Sequence, residues 1–139
     1  MKGGGNRNEA TLTMKKLTPV LYVEEIEPAL PFWEERLGFG RTAEVAHGDA
    51  LGFIILERDG IELMYQTRAS VAADIPAVAD AQPTGGAFIF LEVDDLDAID
   101  EALSDYDRVI PRRTTPYGAD EIVVREPGGN LVIFAQFGG

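Results

Sequence analysis

In DGIELMYQ, residues 59 to 66, a carboxylate stands in what reads as a buried strand. Asp59-Gly60 is a tight-turn pair. The residues after it alternate, with Ile61, Leu63 and Tyr65 on one side and Glu62, Met64 and Gln66 on the other. Such alternation sends the two sets to opposite faces of a strand. Glu62 could be a metal ligand, an anchor for an organic ligand or a strand residue facing water. Little other chemistry is available. There is no cysteine, which excludes disulfides, thiolate metal sites and thiol nucleophiles. The single histidine, His47 in AHGDA, falls between strand-like stretches and reads as a surface turn residue, so a Ser-His-Asp set is nearly excluded. No glycine-rich phosphate loop is present. Arg112 and Arg113 in VIPRRTTPYG could pair with surface acids or reach a ligand's carboxylate, and the solvated reading is preferred.

These residues need elements to position them. LTPVLYV (17–23) reads as a strand, and in EEIEPALPFWEERLGF the residues Ile26, Leu30, Trp33 and Leu37 recur at helical spacing, with Gly38 as the stop. Pro28 suits a first helical turn; Pro31 would cost an interior hydrogen bond, which leaves the helix start open. Strands are expected at 40–46 and 51–58, then a two-residue hairpin through Asp59-Gly60 into 61–66. Residues 67 to 86 lack alternation and read as a linker with one short helical turn. The plan then repeats. AFIFLEV (87–93) is a strand, and DDLDAIDEAL is a helix with an aspartate cap and Leu96, Ile99 and Leu103 on one face. Strands follow at 108–113 and 120–125, then EPGGN as a turn and LVIFAQ as the last strand. At one constant offset Val23 superimposes on Val93, Ile26 on Leu96 and Trp33 on Leu103. The repeated order predicts one structural domain of two βαβββ modules, 17–66 and 87–137, joined by 67–86 and preceded by a flexible tail, 1–16.

A chain of 139 residues can bury roughly 70% of its unfolded surface as one domain. No apolar run approaches the ~20 residues of a membrane span, and the first residues do not read as a signal peptide. With no cysteine, the expected location is cytoplasmic. The 24 acids outnumber the 12 bases, for a formal charge of −12. That field repels phosphate backbones and anionic lipid, so neither nucleic acid nor membrane is expected as a partner.

Taken together, VEEIEPALPFWEERLGF, GIELMYQ, FLEVDDLDAIDEAL and REPGGNLVIFAQ resemble the vicinal oxygen chelate superfamily, which includes glyoxalase I, extradiol dioxygenases and the fosfomycin- and bleomycin-resistance proteins. The resemblance spans about residues 17 to 137 and speaks to fold more than to activity. It implies an α+β fold whose two βαβββ modules form a curled mixed sheet around a cavity. It also implies four metal-ligand positions, which fall here on Thr18, Glu62, Phe88 and Ile133. Two of these have no donor atom, so the metal site reads as lost and no cofactor is expected.

Alternation from those four positions marks the cavity face. It carries Thr18, Val20 and Tyr22, then Glu62, Met64 and Gln66, then Phe88, Phe90 and Glu92, and last Leu131, Ile133 and Ala135. The opposite residues, Leu21, Val23, Ile89, Leu91 and Val93, should lie under the helices. An apolar, aromatic-lined face with few polar groups suits a small molecule, and Glu62 and Glu92 favour a cationic one. The expected ligand-binding residues are Thr18, Tyr22, Glu62, Met64, Phe88, Phe90, Glu92 and Ile133. The alternative is a lyase, isomerase or dioxygenase-like enzyme with Glu62 as general base or a non-standard metal site. A third reading has Phe88 and Ile133 filling the cavity as core. A homodimer is expected, because the resemblance implies cavities completed across subunits and open sheet edges need cover.

Overall fold

The computed structural model describes residues 12, 14–81 and 86–138. Most of the expected tail, and residues 82–85 of the expected linker, lie outside the described residues. β1 (Val20–Val23), β2 (Gly40–His47), β3 (Ala50–Arg58) and β4 (Ile61–Thr67) form one sheet in the order β1-β4-β3-β2. β5 (Phe88–Glu92), β6 (Arg108–Thr114), β7 (Ala119–Arg125) and β8 (Leu131–Phe137) form a second in the matching order β5-β8-β7-β6. In each, the first strand runs parallel to the last and the other pairs are antiparallel. The fold is α+β with two modules of one plan. Among the described residues the strands divide into two four-stranded mixed sheets that share no pairing and close no barrel.

Local chemistry explains the elements. Asp59 and Gly60 both take positive φ, 55° and 80°, the geometry a two-residue hairpin needs, and Glu57 accepts the Gly60 N–H at 2.9 Å. Between β1 and β2 the helical run breaks into a 3₁₀ turn (Glu27–Ala29) and a wide π-type segment (Pro31–Arg36). Proline lacks the N–H that a continuous α-helix would use, and its ring crowds the carbonyl four residues back. Pro28 and Pro31 therefore each open a fresh piece. Gly38, at φ 73°, ends the run where the spacing placed the stop. Asp95 caps the helix Leu96–Ala102 by accepting the Ala98 N–H at 3.1 Å. The expected linker holds more structure than one turn, namely helices Arg68–Asp74 and Pro76–Ala81, with Thr67 capping the first through the Ser70 N–H.

One core serves both modules. The inner sheet faces contribute Leu21, Val23, Ile54, Leu56, Leu63 and Tyr65 on one side and Ile122, Val124, Val132 and Phe134 on the other. Phe32 and Trp33 lie between them, fully buried. Phe32 meets Tyr106 edge-on at 5.1 Å and Phe134 at 6.5 Å, both from the second module. Burial of one such ring contributes about 1.5–3 kcal/mol. Ile89, Leu91 and Val93 pack against this core, as their alternation required. Packing the inner faces together turns the other face of each sheet outward. Among the described residues no helix is long and apolar enough to cross a membrane.

Candidate functional site

Glu62 follows from the hairpin. Leu63 and Tyr65 must point into the core, so Glu62, Met64 and Gln66 take the outer face. The parallel register sets Val20 beside Met64 and Tyr22 beside Gln66. The Thr18 hydroxyl donates to Glu62 Oε1 at 3.1 Å, and Lys16 Nζ lies 2.8 Å from the same oxygen. The Glu62 side chain is only 18% exposed. The Lys16 hydrogen bond lowers the Glu62 carboxyl from its ordinary value; burial opposes that, and Thr18 reinforces it. At the far end of β1 the Arg68 guanidinium stacks over the Tyr22 ring at 4.4 Å and pairs with Glu24 at 2.8 Å.

The second module presents a second outer face. Phe88 and Phe90 stand in register with Leu131 and Ile133. In the single chain they are exposed, Phe88 at 68% and Phe90 at 49%, and Val20 on the first sheet is 51% exposed. Ile133 and Ala135 lie buried on the same face. Phe137 approaches Phe90 at 6.2 Å and Tyr117 at 6.0 Å, extending the aromatic surface. At its centre is Glu121, a carboxylate with 2% exposure held by Arg113 and Tyr117.

Thr18, Glu62 and Met64 thus gather on one sheet, and Phe88, Phe90 and Ile133 on the other. Tyr22 lines a cleft of about 510 Å³ with Arg68 and the turn Pro127–Asn130, while exposed Glu92 borders another of about 580 Å³ between the Leu96–Ala102 helix and the β3–β4 hairpin.

Residues 15–134 match the glyoxalase/bleomycin resistance protein/dioxygenase superfamily. The chain belongs to that superfamily. No curated protein matches it. Among solved structures it is similar to a glyoxalase/bleomycin resistance protein/dioxygenase from Nocardioides, with TM-score 0.73 and 20% identity over 99% of this chain and 96% of that one. A bleomycin-binding protein complexed with bleomycin aligns with TM-score 0.62 and 21% identity over 90% of this chain and 100% of that one. The bleomycin-binding protein from bleomycin-producing Streptomyces verticillus, complexed with copper(II)-bleomycin, aligns with TM-score 0.58 and 25% identity, covering 93% and 100%.

For a superfamily member, the metal question is one of donor chemistry. Phe88 and Ile133 offer no lone pair, Thr18 is neutral, and Glu62 Oε1 already takes Lys16 and Thr18. Among the described residues no group of three or more histidines or carboxylates could hold a metal ion. This set does not fit a transition metal. His47 ends β2 and is exposed.

Lys16, Glu121 and Tyr117 are outer-face residues that the sequence does not single out, and Arg113, for which solvated surface is the preferred reading, joins them. Lys16 falls within the expected tail, 1–16, although it shares the alternation parity of Thr18 and Val20. Glu121 could have been found the same way, because Ile122 and Val124 must face the core. Arg113 and Tyr117 carried no such signal. Their placement depends on irregular pairing in β6 and on the Pro116-Tyr117-Gly118 turn.

Proposed function

We propose that the protein binds a small organic molecule, preferentially a cationic one, on the outer faces bearing Thr18, Tyr22, Glu62, Met64, Phe88, Phe90, Glu92 and Ile133, without a resident metal. The observation that carries this reading is the state of Glu62: a partly buried carboxylate beside Met64, neutralised by the chain's own Lys16. A carboxylate withdrawn from water favours a counter-charge. A lysine whose side chain is 60% exposed is a counter-charge that a better-fitting cation can replace. The aromatic surface across Phe88 and Phe90 adds attraction for cations. General-base chemistry is disfavoured, because a carboxyl lowered by Lys16 is a weak base near neutrality.

The complete pocket is proposed to form between two copies. Each chain leaves an apolar face open on both sheets, and a monomer rarely exposes such a surface without a partner. The chain's acidity argues against nucleic acid or anionic membrane as that partner. With no cysteine to oxidise, a reducing cytoplasm is the proposed location.

Calorimetric titration with bleomycin, a ligand that structurally similar proteins carry, tests the reading. Glu62→Gln should weaken binding about tenfold, the scale of one charge-assisted hydrogen bond, and Lys16→Met should strengthen it. Equal affinities in wild type and Glu62→Gln would reject the role of the carboxylate. Elemental analysis showing about one zinc, nickel, iron or manganese per chain after dialysis would reject the metal-free part.

A further inference from the structure

Arg112 and Arg113 are neighbours in a strand, yet the structure gives them unrelated surroundings. Arg112 pairs with Asp97 on the Leu96–Ala102 helix and lies 3.7 Å from Asp120. Arg113 turns to the opposite face, over Glu121, its register partner on β7. Successive strand residues must part in this way, and the pairing irregularities at Arg108/Ile110 and Ile110/Arg113 re-aim this end of β6 further.

On that face Arg113 Nε and Nη2 both donate to Glu121 Oε1, at 3.0 and 2.7 Å. The Tyr117 hydroxyl donates to Glu121 Oε2 at 3.0 Å. Glu121 is therefore saturated and shielded. Arg113 is different: its side chain is 49% exposed, and Nη1 has no partner among the described residues. Two of its N–H groups already fix the planar fork on Glu121, so little rotamer entropy remains to be lost on binding. Exposed rings run from Tyr117, which shares Glu121 with Arg113, across the same face. Tyr117 is 57% exposed, Phe137 40% and Phe90 49%, joined through Phe137 by centroid distances of 6.0 and 6.2 Å.

The geometry points to a second polar anchor in the candidate site: Arg113, positioned by Glu121, takes an acceptor oxygen attached to an aromatic ring that packs on Phe90, Tyr117 and Phe137. Because Glu121 neutralises Arg113, and the chain carries a net charge of −12, the matching group is a neutral aryl carbonyl such as a carboxamide rather than a free anion. This rests on the reading of the outer faces as a small-molecule site, and it specifies the ligand further: an aromatic amide at one end, a cation at the other.

Two probes sharing one ring system test it, 2-naphthamide and naphthalene, titrated by fluorescence into the full chain. Wild type should bind the amide about tenfold more tightly than the hydrocarbon, as expected for one hydrogen bond from a charged donor. Arg113→Met alone would strand the Glu121 charge in the interior, so the variant is Arg113→Met with Glu121→Gln. The pair should erase the preference for the amide and leave naphthalene affinity unchanged. If the double variant fails to fold, Arg113→Lys keeps a cation on Glu121, loses the planar fork and should lose most of the preference. An amide preference that survives either variant, or its absence in wild type, overturns the proposal. Bleomycin binding that depends on Glu62, with no amide preference, would sink this anchor alone. Failure of bleomycin and both naphthyl probes to bind would sink the underlying reading with it.

Discussion

At the residue scale, the most consequential group lies outside the candidate site. The Trp33 indole donates to the Tyr65 hydroxyl at 2.7 Å, and that hydroxyl donates to Glu126 Oε2. Glu126 Oε1 accepts the Asn130 N–H at 2.8 Å, and Glu126 is 1% exposed. Burial, then the neighbouring Glu126 charge, pushes the Tyr65 phenol well above its ordinary value, so it remains a donor throughout the accessible pH range. This chain of three side chains links the segment Pro31–Arg36, β4 and the last turn across the two modules. Tyr65→Phe leaves a buried carboxylate oxygen and a buried indole N–H without that partner. The expected cost is roughly 1–3 kcal/mol, read as a lower midpoint in urea unfolding. An unchanged midpoint would show that both groups find other partners. The pattern in IELMYQ put Tyr65 in the core, but nothing local revealed which carboxylate it would meet, because Glu126 lies 61 residues away.

At the element scale, the segment Pro31–Arg36 is held to the second module by its last residue. Arg36 donates to both oxygens of Asp105, at 2.6 and 2.9 Å, and to the Ala102 carbonyl at 3.1 Å, where the Leu96–Ala102 helix ends. The guanidinium also lies 5.0 Å from the Tyr106 ring centroid. The Arg36 hydrogen bond holds the Asp105 carboxyl down to about 2, against an ordinary 3.8. The sign follows from that depression. The folded state binds this proton more weakly than the unfolded chain, so the link stabilises above the ordinary carboxyl value. Its contribution fades as the pH falls through the window from 3.8 to about 2. Carboxyl-carbon NMR should place the Asp105 midpoint near the lower value, and Arg36→Gln should return it toward the upper one. A midpoint indifferent to that substitution would refute the pairing. The helices that build this contact were legible from apolar spacing and the Asp95 cap. The break at Pro31 was legible only as a conflict, which packing of Phe32 and Trp33 resolved by starting a new segment.

For the whole molecule, the decisive fact is that one core between the modules leaves two apolar faces outward. Val20, Phe88, Phe90, Tyr117 and Phe137 are too many exposed large side chains on the outer faces to be incidental. A two-fold pair of chains would cover them and supply each face with an opposite wall. Analytical ultracentrifugation at micromolar concentration should give a species of twice the chain mass. Phe88→Glu, which places another acid on an already acidic surface, should shift it toward the single chain while the fold is retained. A single-chain species in the wild type would reject the dimer and with it the shared pocket.

Alternation and spacing alone determined the repeated βαβββ order, the Asp59-Gly60 hairpin, the Gly38 stop and which side of each strand carries Glu62 or Phe88. These are local consequences of periodicity and backbone sterics, which act over a few residues. Tertiary structure decided the rest. It chose Lys16 as the partner of Glu62, turned Arg113 and Arg112 apart, buried Glu121 and Glu126, and placed the candidate site residues on two separate sheets. Each of those outcomes depends on how two sheets pack across a shared core. Such contacts join residues distant in the chain, and composition and periodicity carry no record of which distant side chains will meet.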